Sequence, residues 1–386
     1  MDEILVSSTF GRGRPAIVGV GSQFFVIWTD VGDQDLKGAR FDASGNRQGD
    51  FVVNTTRGIF GLPAVERVRD GFVVAWIAFP PSKLLFQRFG NDGRKRGPEI
   101  VVSADNVVAD LERIRAPSVA FLADGNFVIT WLAALPDTQV RAAVFDGFDG
   151  SRVGSEIKVN AAEGLHTFPT VTAFRGVGSD DIAFVVAWTG GADGILRSRF
   201  QMFNIDRSKA GAEVLPPRRA VGDIAAVLFT QDTDDPREFI SVKGGRNGDV
   251  EQILAADLFV RAGTSLGANI THSGDQTVNF DALVKALPNG RAVVTWTQKP
   301  VPTTGRFGNN VMAAIIEVGR ESVDFIRDSM IIKQVNTTAA GGQNSPSASP
   351  LVDETGNFSV AFTWVDARID GSQSAIKARV LSSGLG

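Results

Sequence analysis

Pro117–Trp131 reads PSVAFLADGNFVITW. A short apolar run, an Asp-Gly-Asn turn and a second apolar run ending in tryptophan describe a β-hairpin. The glycine supplies the positive φ of a tight turn, and the two runs have strand length and strand composition. The phrase recurs as PAIVGVGSQFFVIW from Pro15, PAVERVRDGFVVAW from Pro63 and PTVTAFRGVGSDDIAFVVAW from Pro169. It returns as NFDALVKALPNGRAVVTW from Asn279 and PLVDETGNFSVAFTW from Pro350. All six tryptophans of the chain (Trp28, Trp76, Trp131, Trp188, Trp296 and Trp364) close the second run of a copy. A large ring at one fixed place per repeat is read as filling between neighbouring sheets rather than as a ligand platform.

A second hairpin follows in most copies. Its pieces are LKGARFDASGNRQGDFVVN, LLFQRFGNDGRKRGPEIVVS and VRAAVFDGFDGSRVGSEIKVN. Each unit is therefore four antiparallel strands, A to D in chain order. With a period near fifty residues, this predicts an all-β, seven-bladed β-propeller in a single domain. The expected blades are 15–54, 63–103, 117–160, 169–215, 223–271, 279–336 and 346–381 plus 2–8. The unit at 223–271 lacks tryptophan and is the most degenerate.

The two ends of the chain fit a ring. The last unit stops after strand C, whereas the opening DEILVSS matches the strand D segments PEIVVS (98–103) and SEIKVN (155–160). The N-terminal strand is expected to complete the last blade, because radial closure hides the sheet edges that an open stack leaves exposed.

Composition narrows the function classes. The chain has 386 residues, 43% of them hydrophobic, and a net charge of −4 that makes no electrostatic case for nucleic acid. No apolar run approaches the length of a membrane span, and no signal peptide is visible at the start. A monomer is expected. The absence of cysteine removes disulfides, thiolate metal sites and thiol nucleophiles. The chain also has no tyrosine and only two histidines. A tyrosine nucleophile of the sialidase kind is thereby excluded, and so is a Tyr–His acid–base pair of the kind several propeller lyases use. No G-x-S-x-G elbow or phosphate-binding loop is present.

The D-to-A and B-to-C connections fall on one face of such a propeller and are the longer, more variable ones, so that face is the candidate face. D-to-A connections carry Arg12, Arg14, Arg57, Arg113, Arg115, Arg218 and Arg219, together with His166 and His272. B-to-C connections carry Asp30, Asp33, Asp35, Asp137, Asp193, Asp366 and Asp370. This predicts a cationic channel mouth with an acidic rim. Arg57, Arg113, Arg115, Arg218, Arg219, His166 and His272 are its candidate ligand-binding residues, since the guanidinium fork suits carboxylate, sulfate or phosphate. The alternative is that these arginines are solvated or paired with nearby carboxylates.

No cofactor is expected. Asp30-x-x-Asp33-x-Asp35 and Asp232-x-Asp234-Asp235 are weak oxygen-ligand candidates for calcium without EF-hand spacing. The leading expectation is a non-catalytic module that binds an anionic glycan or surface polymer. The alternatives are a polysaccharide-active enzyme, either a carboxylate-pair glycosidase or a lyase, and a structural spacer of a larger secreted protein.

The pattern P-x-V-A-x-L-x-D-G-x-F-V-V-x-W, followed by G-x-E-x-x-V-N, resembles a repeat of large secreted bacterial proteins of the RTX and adhesin type. It is clearest at Pro117–Trp131 with Gly154–Asn160. The resemblance implies an extracellular or cell-surface setting and no particular activity. The G-G-x-G-x-D calcium nonapeptide of the RTX type is absent.

Overall fold

The computed structural model describes residues 1–8, 13–30, 32–103, 107, 117–134, 138–174, 182–191, 197–215, 223–227, 238–247, 250–260, 277–288, 290–300, 308–317, 331–337, 342–367 and 374–383. Every regular element among them is a β-strand. No helix among them is long and apolar enough to cross a membrane.

Blade 1 is β2 (Ala16–Val20), β3 (Gln23–Asp30), β4 (Asp35–Asp42) and β5 (Arg47–Val52). Blade 2 is β6 (Ile59–Phe60), β7 (Ala64–Val68), β8 (Gly71–Phe79), β9 (Lys83–Gly90) and β10 (Lys95–Ser103); β6 and β7 both pair with β8 as one interrupted inner strand. Blade 3 is β11 (Ser118–Phe121), β12 (Phe127–Ala134), β13 (Thr138–Phe145) and β14 (Arg152–Lys158). Blade 4 is β15 (Leu165–Ala173), β16 (Ile182–Gly191), β17 (Arg197–Asn204) and β18 (Lys209–Val214). Blade 5 is β22 (Thr277–Leu287), β23 (Arg291–Pro300), β24 (Asn310–Glu317) and β25 (Ile331–Gln334). Blade 6 is β26 (Gly342–Val352), β27 (Phe358–Ala367), β28 (Ala375–Ser382) and β1 (Ile4–Ser7).

This corrects the expectation of a seven-bladed propeller of four-stranded blades. The architecture is an all-β propeller of six four-stranded antiparallel blades. Among the described residues, the segment read as a further full unit, 223–271, forms the three-stranded sheet β19 (Asp223–Val227), β20 (Glu238–Asn247) and β21 (Val250–Val260), between blades 4 and 5. Its register explains the difference. Lys243 follows the last paired residue of the hairpin, Val242, at the place where Trp131 follows Thr130 in blade 3. The unit thus lacks the ring that anchors each complete blade.

Those rings are the core. Trp76, Trp188, Trp296 and Trp364 are 0% exposed, Trp131 1% and Trp28 3%. They lie between blades: Trp76 shares a cluster with Phe25 of blade 1 and Phe72 of blade 2, whose ring centroids are 4.5 Å apart. Burial of each apolar side chain between sheets contributes about 1.5–3 kcal/mol, so the seams between blades are where the ring is held.

The G-x-E-x-x-V-N phrase also has a physical reading. Val53, Val159 and Val335 are buried, and the asparagine after each clamps the start of strand C in its own blade. Asn54, Asn160 and Asn336 accept the backbone N–H of Leu36, Val140 and Val311 at 2.8, 2.9 and 2.8 Å. The glutamate reaches instead to the preceding blade. Glu99 accepts the Thr55 N–H at 2.7 Å, and Glu213 accepts the Ala161 N–H at 2.9 Å.

The N-terminal strand plays the same part. It pairs antiparallel with β28, Ile4 opposite Ala378 and Leu5 opposite Lys377. Its Glu3 accepts the Thr337 N–H, as Glu99 and Glu213 accept the N–H groups of their neighbours, and also the Thr337 hydroxyl at 2.8 Å. The ring is closed through this strand.

Candidate functional site

The inner strands surround an axial channel with a cavity of about 320 Å³. Most of its wall is small or apolar, including Ile17, Val65, Val119, Ala120 and Val171. Among the described residues, three charged ones interrupt it: Glu66 and Arg67 from β7 and Lys285 from β22. Counting from Pro63 and from Ala282, which occupies the matching place in blade 5, Glu66 and Lys285 fall at the same level of their strands. The Lys285 ammonium stands 3.0 Å from Glu66 Oε2, so an ion pair joins blades 2 and 5 across the axis. The Glu66 side chain is 15% exposed and that of Lys285 40%, which leaves the ammonium the more open partner.

A second charged pair joins blades 1 and 5. Arg14, just before β2, is 3.4 Å from Asp281 of β22, and the Ser345 hydroxyl of β26 is 3.4 Å from the other Asp281 oxygen. Asp281 has φ +56°, Phe168 +56° and Ser345 +54°. Each sits where the inner strand's pairing shifts, between Thr167 and Thr170, Phe280 and Leu283, or Asn344 and Ser347. A non-glycine residue in the left-handed region costs on the order of 1–3 kcal/mol and is held only by its surroundings. The bulges let strands β15, β22 and β26 continue toward the mouth beyond the point where the repeated phrase begins.

The residues anticipated from the sequence are distributed differently from a single cationic mouth. Arg113, Arg115, Arg218, Arg219 and His272 lie outside the described residues, as do Arg12, Asp137, Asp193, Asp370 and the Asp232–Asp235 cluster. Arg57 is exposed, away from the axis, beside Thr55 and Thr56 on the loop leading into β6. His166 is 0% exposed and sits inside blade 4, not at the mouth. Its Nε2 is 3.0 Å from the Ala162 carbonyl and 3.0 Å from Asn160 Nδ2, and its ring meets Trp188 edge-on at 6.4 Å. Gly190 makes room for it, since a Cβ there would stand 2.1 Å from His166 Nδ1.

The acidic rim is largely neutralised where it is described. Lys37 pairs with Asp30 at 2.9 Å and also with Asp33, and Lys377 pairs with Asp366 at 2.8 Å. The Lys37 ammonium is held above the usual lysine value, first by its hydrogen bonds to Asp33 and Asp30. It occupies the centre of the Asp30–Asp33 cluster considered for calcium. Among the described residues no group of three or more histidine and carboxylate side chains is arranged to hold a metal.

Sequence reasoning passed over Glu66, Lys285 and Asp281. A signal was present: PAVERV and DALVKAL place a charge in the middle of a run that should be buried, and a mid-strand charge needs a partner.

No family model matches the chain, and no curated protein does. Solved structures do share the fold. A structure of an ulvan lyase, from a new family of polysaccharide lyases, bound to GlcA(1-4)Rha3S units is similar over 98% of this chain and 96% of that one, with a TM-score of 0.57 at 10% identity. A second ulvan lyase structure is similar over 99% and 94%, with a TM-score of 0.53 at 10% identity. A triple arginine-to-alanine variant of AofleA from Arthrobotrys oligospora is similar over 84% and 83%, with a TM-score of 0.50 at 13% identity. At such identities the likeness is one of fold. It nonetheless corrects the resemblance to RTX and adhesin repeats: no family model supports that resemblance, and the structures similar over the length of the chain are of other kinds.

Proposed function

We propose that this propeller is a polysaccharide-active enzyme that takes an acidic glycan at its axial channel. The observation that carries the reading is the Glu66–Lys285 pair, a carboxylate and an ammonium 3.0 Å apart in the channel, with Arg67 in the same wall. A substrate carboxylate or sulfate competes with Glu66 for Lys285, the more exposed partner. Glu66, released from that bond, is then placed to accept or deliver a proton beside the bound sugar. Arg67 in the channel wall offers a second cation for an anionic repeat. The fold shared with an ulvan lyase supports the same substrate class. Such polymers lie outside cells, so the proposed setting is extracellular or cell-surface.

The test is incubation with uronate-bearing and sulfated polysaccharides, following reducing ends and the ultraviolet absorbance of a new double bond. Reducing ends with absorbance mean elimination, and reducing ends alone mean hydrolysis. Glu66→Gln should lower the rate by about 10²–10⁴-fold, while Lys285→Ala should weaken binding. Retention of the polymer without products would replace this reading with a purely binding module. The absence of both products and retention would remove the reading altogether.

A further inference from the structure

The surface away from the axis carries a further cavity. Between the loop at Thr55–Arg57 and the outer strands of blade 2 lies a groove of about 460 Å³, within the size range of ligand sites. Its floor is apolar: Phe79, Pro80, Pro81 and Val101 line it, and Val101 is 48% exposed. Two cations stand over this floor, Arg57 and Lys83. Its one carboxylate, Glu99, is already engaged, accepting the Thr55 N–H at 2.7 Å and the Thr56 hydroxyl at 2.5 Å. The groove therefore offers an apolar ledge, on which the C–H face of a sugar ring can lie, under positive charge with no free negative group.

We infer that this groove is a distal subsite for the same acidic polysaccharide, engaging a sugar several units away from the one in the channel. The inference rests on the channel reading and extends it. Continuity with the channel supports it. The loop that carries Arg57 runs directly into β6 and β7, and so to Glu66. Nine residues of extended chain bound the separation at about 30 Å. Any separation up to that bound is within reach of an extended oligosaccharide. Charge selects the ligand: Arg57 and Lys83 match carboxylate or sulfate groups, and a neutral glycan gains nothing from them. Two linked subsites make the second contact intramolecular, so affinity should rise with chain length.

The experiment is affinity electrophoresis and calorimetry with polygalacturonate, a sulfated galactan, their di- and trisaccharides, and neutral dextran. Parent protein is compared with Arg57→Ala/Lys83→Ala and with Glu66→Gln. The expected result is tighter binding of at least one polyanion than of its short oligomers, and no binding of dextran. The double variant should lose about tenfold for the polymer and keep its affinity for the short oligomers and its thermal midpoint. Glu66→Gln should retain the preference for length. Equal binding of the polymer by parent and double variant overturns the distal subsite. If the parent also cleaves short substrates in a Glu66-dependent way, the channel reading survives that failure. If the parent binds neither polyanion at any length, both fall. Arg57→Glu/Lys83→Glu supplies a second check, and loss of long-chain preference there supports the proposal.

Discussion

Asn160 Oδ1 accepts the Val140 N–H at 2.9 Å while its amide nitrogen donates to the Ala162 carbonyl at 2.7 Å, beside His166. One buried side chain thus ties the end of a blade to the start of its own third strand and to the loop that leaves it. Asn160→Ala would strand the Val140 amide in a dry interior. A loss of about 1–3 kcal/mol is expected, read as a lower denaturant midpoint at unchanged slope. Asn54→Ala should behave alike, because it leaves Leu36 N–H in the same position.

Glu3 is the second test case. Its side chain is only 10% exposed and serves both the Thr337 hydroxyl and the Lys377 ammonium. Glu3→Ala removes the bridge to blade 5 and one carboxylate from Lys377, with an expected cost of about 1.5–3 kcal/mol. The measurement that separates this from a generic loss is limited proteolysis. Cleavage should appear first within the opening residues, with the remaining blades still protected.

Alkali should act on the same seam. Burial pulls the Lys377 pKa down, but its hydrogen bonds to Asp366 and Glu3, with the attraction of both carboxylates, outweigh that and raise it above the ordinary lysine value. A raised folded pKa means the contribution is complete below the unfolded value of about 10.4 and disappears as pH climbs through the folded one. Thermal midpoints of the parent and of Lys377→Met should differ at neutral pH and converge in strong alkali. A constant gap would contradict the assignment.

Acid should act on the turns. Asp206 is held below the usual carboxylate value first by the Ser208 hydroxyl, and Asp353 by the Thr355 hydroxyl. Asp42 and Asp149 are lowered in the same way by Asn46 and Ser151. Depressed values place this stabilisation above the unfolded pKa of about 3.9, and it is lost as pH falls through the folded ones. Thermal midpoints of Asp353→Ala and parent should therefore meet as pH falls through the lowered folded value. If the gap persists there, the hydrogen bonds and not the charge carry the turn.

Gly19 tests the packing of the inner strands. A Cβ there would stand 2.0 Å from the Pro350 carbonyl oxygen of blade 6, and the Gly19 N–H donates to the Ser349 hydroxyl at 2.9 Å. Gly19→Ala should push blades 1 and 6 apart at the axis and cost about 1–3 kcal/mol, seen in chemical denaturation. The same substitution at Gly21, where a Cβ has open space, isolates backbone strain from this clash.

Much of the fold was legible because each blade states it locally. The hairpin turns, the tryptophan at the end of each second strand and the V-N pair are all short-range signals, and DEILVSS carried the ring closure. The blade count failed where the local signal did, at Lys243 in the tryptophan position. The site was less legible. Glu66 and Lys285 meet because equivalent positions of two separated blades face one axis, and neither residue's neighbours in sequence encode the other. His166 looked like a loop histidine, yet the asparagine and carbonyl that bury it lie four to six residues upstream. A chain-order reading of exposed loops does not reveal that enclosure.

Glu3 and Lys377 are 374 residues apart, yet they share the last sheet of the ring. On the ribosome β1 emerges before β2 to β28 and waits until all of them have been made. Five blades can assemble as they appear, but the sixth is left with a bare edge until the opening strand returns to it. Such distant pairing is slow to form, and an unpaired edge invites a strand from another molecule. Crowded refolding should therefore produce oligomers that exchange N-terminal strands, and dilution should favour the self-closed ring.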